Sequence, residues 1–284
     1  MPLLIDDAML TAPFRLPLTE GWMDSPLAEP LPVTVRAGLV AADVGPADVA
    51  LLPSAEATLL AETHVILPEV AIVVQGPGAW AMRTPVRPDA VDESLIRLLD
   101  VSGTGELLIR ALLKPFYGIV AASARFLTDA NDPAIAEAQV VAIEGIEALV
   151  EPEMGFQSDL AQAWFILTGS WPVGYVLVAG VEALANGDAD RAITMLRAAQ
   201  VVGTERRRDV RTILVAAAPE PEAIDRERLA ELTNGLRFSL GADDRRSLQN
   251  LIARGTWGSR FPQKMPAFRD DLPADLRGGD AAGA

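Results

Sequence analysis

The sequence has no cysteine. Disulfides, thiol nucleophiles and thiolate metal sites are therefore excluded. Its one histidine is His64. That rules out a histidine-rich metal centre and leaves a Ser-His-Asp triad with a single candidate base. Lysine occurs only at Lys114 and Lys264, net charge is −15, and no basic stripe carries interleaved aromatics. A phosphate backbone needs clustered positive charge, so the balance argues against nucleic acid as a partner. Long apolar runs are also lacking. The most apolar stretch, 172–185, contains Glu182 and falls short of the ~20 residues a spanning helix needs. The opening Met-Pro-Leu-Leu-Ile-Asp-Asp has neither a basic n-region nor a long apolar h-region, so it does not read as a signal peptide. The expectation is a cytoplasmic protein without a membrane partner.

What is present is a chain of 284 residues, half of them apolar. That is enough for one large core or two modest lobes. Strand-like runs at 33–37, 49–52, 70–74, 79–83, 97–101, 140–143 and 173–179 alternate with helical ones, which predicts parallel sheets with helices on their faces. Helices are expected near 106–113, 181–186, 190–201, 222–233 and 243–254, and from Asp159 to Gly169. No long linker splits the chain, so two lobes would require it to cross between them more than once. Beyond Pro262, the run through Pro266, Pro273, Gly278 and Gly279 predicts a flexible tail over 262–284.

The strongest local feature is Ser102-Gly103-Thr104-Gly105 where a strand passes into a helix. Orphan backbone N–H groups and the helix dipole favour an anion there, and the glycines allow close approach. An ordinary capped turn explains the same residues. No Lys-Ser/Thr follows, so it is not a P-loop, and the glycine spacing does not fit a dinucleotide fingerprint. Ser54 follows the strand ending at Pro53, where ligands of open α/β sheets bind; a helix-capping hydroxyl is the competing reading. His64 reads as a surface or capping residue. Glu144, Glu147, Glu151 and Glu153 read as a solvated acidic face, and Arg206-Arg207-Arg208 as a solvated turn paired with Glu205 and Asp209. Trp164 and Trp171 read as core.

Several segments together are similar to a known family. Ala50-Leu51-Leu52-Pro53-Ser54-Ala55-Glu56 resembles an ALIPS-x-E strand end, and Gly76-Pro77-Gly78-Ala79-Trp80 a GPV-x-S turn. Asp100-Val101-Ser102-Gly103-Thr104-Gly105-Glu106-Leu107-Leu108 partly fits D-x-S-x-x-TS-x-x-LL, with Tyr117-Gly118 after it. Ile143-Glu144-Gly145-Ile146-Glu147-Ala148-Leu149 compares with IGD-x-AL. Asp159-Leu160, Trp164, Thr168-Gly169 and Pro172 match DL-x-x-x-W-x-x-x-TG-x-P, and 236–241 with Leu248 and Leu251 resembles a closing strand and helix. In this order, over most of residues 9–255, the chain resembles the chorismate dehydratase family of the futalosine route to menaquinone. Two departures stand out. The family's opening SYLN-x-x-P reads Ala8-Met9-Leu10-Thr11-Ala12-Pro13 here, without the Asn, and the Ser of the TS pair is Gly105.

The resemblance implies an α/β, two-lobed clamshell of the type II periplasmic-binding-protein kind, with a cleft between the lobes. Residues 1–87 and 176–261 would form one lobe and 88–175 the other. The implied ligand is a small anionic metabolite, held by Thr11, Ser54, Ser102, Gly103, Thr104 and Gly105, with no cofactor and no metal. The implied reaction removes water from chorismate to give an enolpyruvyl benzoate. The residues themselves name no catalytic base, so a cytoplasmic binding protein for a small carboxylate metabolite stands as the alternative.

Overall fold

A computed structural model describes residues 2–129, 132–152 and 155–277. In chain order the strands are β1 Leu3–Asp6, β2 Val33–Arg36, β3 Val49–Pro53, β4 His64–Val74, β5 Trp80–Thr84, β6 Glu93–Leu99, β7 Val120–Leu127, β8 Val140–Glu144, β9 Phe156–Asp159, β10 Val173–Gly180 and β11 Leu236–Arg237. The helices are α1 Ala12–Thr19, α2 Ser54–Ala57, α3 Gly103–Leu112, α4 Leu160–Thr168, α5 Val181–Ala185, α6 Asp188–Glu205, α7 Arg207–Ala216, α8 Arg226–Asn234 and α9 Ala242–Gly255.

The strands form two sheets. One has the order β11-β4-β10-β3-β1-β2, the other β7-β6-β8-β5-β9. Both are mixed, where the sequence reading expected parallel sheets. β1 runs parallel to β2 and β3, and β6 parallel to β7 and β8. β10 is antiparallel to β3 and β4, and β5 antiparallel to β8 and β9. Apart from the short edge strand β11, these antiparallel members flank the two crossings between sheets. The chain leaves the first sheet after β4, enters the second at β5, and returns at β10. Because β5 pairs in the second sheet, the first crossing lies ahead of the expected boundary at residue 88. Gly76 and Gly78, with φ of 132° and 108°, make that crossing at Gly76-Pro77-Gly78. A Cβ at Gly78 would lie 2.5 Å from the Leu149 side chain.

Every residue of β3 and β10 is buried, which is why both read as continuous apolar runs rather than alternating ones. β4 is longer than its sequence signal because Pro68 interrupts the apolar run. The ladder absorbs the interruption as a register shift, with Leu67 and Ala71 facing adjacent residues of β10. His64 begins that strand and is buried, not on the surface. Its ring nitrogens meet Thr63 Oγ1 at 2.8 Å and the Gly45 carbonyl at 3.1 Å, and burial lowers its pKa.

The segment after Pro262 corrects the expected tail as far as the described residues reach. Ile66 N–H bonds to the Ala267 carbonyl at 2.9 Å, Phe268 is buried beside β4, and Arg269 pairs with both Glu69 and Asp190. Phe268 contributes the apolar burial that a Gly/Pro reading of this segment undervalued. The final part of the expected tail, 278–284, lies outside the described residues, as does Glu153. Trp164 is fully buried, and its indole N–H donates to Ser247 Oγ at 2.9 Å. Trp171 stacks on Phe165 with ring centroids 4.4 Å apart.

Candidate functional site

The carboxyl ends of β1, β3, β6 and β8 converge on one region between the two sheets. This is where open α/β sheets hold ligands. Two adjoining cavities of about 380 and 370 Å³ occupy it, and both are lined by Asp6, Gly38, Val101 and Ser102. Together they fall in the size range of small-molecule sites. One continues along Pro53, Glu56, Gly103 and Arg260, the other along Met9, Glu144, Glu147 and Tyr175.

Asp6 ends β1 and is buried. Its Oδ1 accepts the Leu39 N–H at 3.0 Å, and its Oδ2 accepts the Tyr175 hydroxyl at 2.8 Å. Burial raises its pKa, and these two donors pull in the opposite direction. Glu144 ends β8 in the other sheet. Its Oε2 accepts the Ser102 N–H at 2.8 Å. Burial pushes its pKa up to about 7, the Ser102 bonds offset part of that, and the charge of Asp6 adds to it. Burial, reinforced by these two carboxyl groups, holds the Tyr175 phenol well above its ordinary value.

The start of α3 is built as its sequence implied. Ser102 is the N-cap, extended at φ −63° and ψ 164°, and its Oγ accepts the Gly105 N–H at 3.2 Å. Asp100, with φ of 48°, turns the chain out of β6 toward it. What the sequence did not disclose is the carboxyl group already there. Glu144 Oε2 takes the Ser102 N–H that a ligand was expected to use. A Cβ at Gly105 would come 2.7 Å from Glu144 Oε2 and 2.5 Å from Val101 Cγ1, so glycine at 105 makes room for the carboxylate.

The structure distributes the six candidate ligand residues unevenly. Ser102 and Gly103 line the cleft. Gly105 packs beneath Glu144. The Thr11 hydroxyl donates to the carbonyls of Asp6 at 2.6 Å and Ala8 at 2.9 Å, bracing the turn after β1. Thr104 is buried, accepts the Ala55 N–H and donates to the Gly174 carbonyl, both at 3.2 Å, which ties α3 to the first sheet. The Ser54 hydroxyl is buried without a hydrogen-bond partner among the described residues, and it lies outside both cavity linings.

Three residues of the cleft were missed. Asp6 and Tyr175 sit on strands whose sequence carries no site signal. The sequence pattern puts Glu144 on a solvated face, and its position on the cavity wall overturns that. A signal for it existed: the strand-end rule applied to Ser54 applies equally to the residue after Ile143. Among the residues lining these two cavities Arg260 is the only cation, and it is paired with buried Glu56.

A family described as menaquinone biosynthesis matches residues 39–256. The chain belongs to this family. The match spans β3, α3, Glu144 and β10, and therefore most of the cleft. No curated protein matches the sequence. Among solved structures, protein AF1704 from Archaeoglobus fulgidus is similar with a TM-score of 0.67 at 11% identity, covering 90% of this chain and 97% of that one. The ligand-binding component of an ABC-type import system from Staphylococcus aureus gives 0.62 at 13%, covering 98% and 97%. The periplasmic aliphatic sulphonate binding protein SsuA of Escherichia coli gives 0.59 at 12%, covering 94% and 92%. At these identities the likeness is one of fold. It establishes the two-lobed, periplasmic-binding-protein-like clamshell that the resemblance implied. Among the described residues no helix is long and apolar enough to cross a membrane.

Proposed function

We propose that this member of the menaquinone biosynthesis family removes water from chorismate in the cleft between its lobes, giving an enolpyruvyl benzoate. The observation that carries the reading is the convergence there of Ser102 and Gly103 at the start of α3 with Asp6 and Glu144, carboxylates from opposite sheets. The reaction breaks a ring C–H and a ring C–O bond and ends in an aromatic ring. It requires orientation, exclusion of water and groups that move protons. The Ser102 hydroxyl and the Gly103 backbone would hold the substrate. The protein would work on this small anionic metabolite in the cytoplasm, without cofactor or metal.

A second reading is a binding protein that holds a small carboxylate without turning it over. Its support is specific. The hydroxyls of Thr11 and Thr104 are engaged within the protein, and the cleft walls are acidic. Proton NMR of the protein with excess chorismate, against a protein-free control, separates the two. New aromatic signals above the control support the dehydratase. Unchanged chorismate with selectively broadened lines supports the binder and overturns the dehydratase.

A further inference from the structure

We propose that the groove between α7 and α8 is a second ligand site, and that it takes a small organic dicarboxylate with an apolar body between its two acid groups. The groove has a volume of about 560 Å³, the size of a small-molecule site. No residue lines both it and the interlobe cleft. Arg208, Arg211 and Arg226 line it, and no carboxylate does. The cleft has the opposite balance, with Arg260 set against several acidic residues on its walls.

The fold does not neutralise these three charges. The chain carries 39 acidic residues against 24 Lys and Arg, so carboxylates are in surplus. Nearby, Arg206 pairs with Asp209 and Arg228 with Asp159. Arg208, Arg211 and Arg226 pair with no carboxylate among the described residues, and Arg211 reaches the Thr233 hydroxyl at 3.5 Å. Asp209 and Glu227 follow Arg208 and Arg226 directly in sequence but lie off the groove, because adjacent residues of a helix point to different faces. Like charges gathered without a counter-ion repel one another, and a bound anion relieves that.

The arrangement along the groove selects the ligand class. α7 and α8 run antiparallel: Arg207, at the start of α7, donates to Asn234 Oδ1, at the end of α8, at 3.0 Å. Arg208, Arg211 and Val215 recur at helical spacing on one face of α7, and Arg226, Leu229 and Ala230 on one face of α8. Arg208 therefore stands at one end of the groove and Arg226, the first residue of α8, at the other. Val215, Leu229 and Ala230 form an apolar floor between them. Arg208 and Val215 are about 10 Å apart along the helix axis. A guanidinium at each end offers a planar fork that a carboxylate fits. A ligand with one acid group fills one end only, and one without an apolar body leaves the floor wet.

The test is amide NMR of the full chain titrated with terephthalate, with benzoate and succinate as controls. Expected are shift changes along 208–216 and 226–230, and an affinity about tenfold weaker in Arg208→Gln and in Arg226→Gln, the size of one charge-assisted bond. Benzoate, with one acid group, and succinate, with no ring, should each bind about tenfold more weakly than terephthalate. Arg208 and Arg226 are exposed and make no ion pair among the described residues, so both variants should fold, and the amide spectrum itself reports it. Shift changes confined to the cleft overturn the site. So do groove shifts with the same midpoint in the wild type and in a folded variant carrying both substitutions. Benzoate binding as tightly as terephthalate overturns the dicarboxylate assignment. A hexaglutamate peptide that binds the groove more tightly than terephthalate overturns it too, and assigns the groove to a protein partner. The readout is binding in the groove, so it is independent of whether the cleft dehydrates chorismate.

Discussion

The Tyr175 hydroxyl, on β10, donates to Asp6 Oδ2 at 2.8 Å, joining two residues 169 positions apart in the sequence. Both are buried, and the bond links the central antiparallel strand of the first sheet to the tip of β1. Tyr175→Phe keeps the ring but leaves the carboxylate one donor short. The expected cost is about 1–3 kcal/mol of stability, read as a lower urea midpoint at constant m. Equal midpoints for the two proteins would show that the bond is not made in solution.

Gly105 and Glu144 are coupled by space. Gly105→Ala places a methyl against the Glu144 carboxylate, Val101 Cγ1 and the Trp80 ring, contacts of 2.7, 2.5 and 3.0 Å. Overpacking of this kind costs about 1–3 kcal/mol. In a Glu144→Ala background the carboxylate is gone, and part of the cost should disappear as a coupling energy of about 0.5–3 kcal/mol. A double-mutant cycle by urea unfolding measures it, and strict additivity would separate the two residues.

The pKa of Glu144 sets a direction for stability against pH. It is raised from 4.5 to about 7. Between those values the folded protein holds a proton that the unfolded chain has released. The stabilisation is therefore complete below about pH 4.5 and is lost as pH rises through about 7. Glu144→Gln stays neutral throughout. Calorimetry should show the wild type losing melting temperature relative to Glu144→Gln between about pH 5 and 8. Parallel curves would contradict the buried-carboxyl account.

Ser247 on α9 supports Trp164 on α4. It accepts the indole N–H at 2.9 Å and donates to the Trp171 carbonyl at 2.7 Å. Ser247→Ala leaves a buried N–H and a carbonyl unpaired, at an expected cost of about 1–3 kcal/mol. Neither Trp164 nor Ser247 lines either cavity of the cleft, so the folded variant should keep its ligand affinity, which titration calorimetry checks.

The elements with strong local signals were legible in the sequence. The run at 173–179 is β10, and Asp159 caps α4 by accepting the Gln162 N–H at 2.8 Å, with Gly169 closing that helix at φ 74°. Ser102 is the N-cap of α3, as the capped-turn reading of that segment had it. β1 was not legible. Four apolar and acidic residues at the start of a chain carry no periodicity, and their strand character comes from pairing with β2 and β3. With β1 unread, Asp6 could not be placed. Tyr175 was hidden inside an apolar run, and its polar end has meaning only beside Asp6. Glu144 was hidden by its neighbours, since Glu147 and Glu151 made the segment look solvated. Thr104 shows the reverse error. Its hydroxyl looked free for a ligand, and tertiary packing uses it to join α3 to Ala55 and Gly174.

The central claim is that the interlobe cleft is where this protein works. A crystal structure of the protein soaked with the enolpyruvyl benzoate product tests it most directly. The account predicts density between Asp6, Ser102 and Glu144, with the product carboxylate toward Ser102 and Gly103. A larger groove of about 560 Å³ lies elsewhere, lined by Arg208, Arg211 and Arg226 on α7 and α8. Product density confined to that groove, with the cleft empty, would contradict the account.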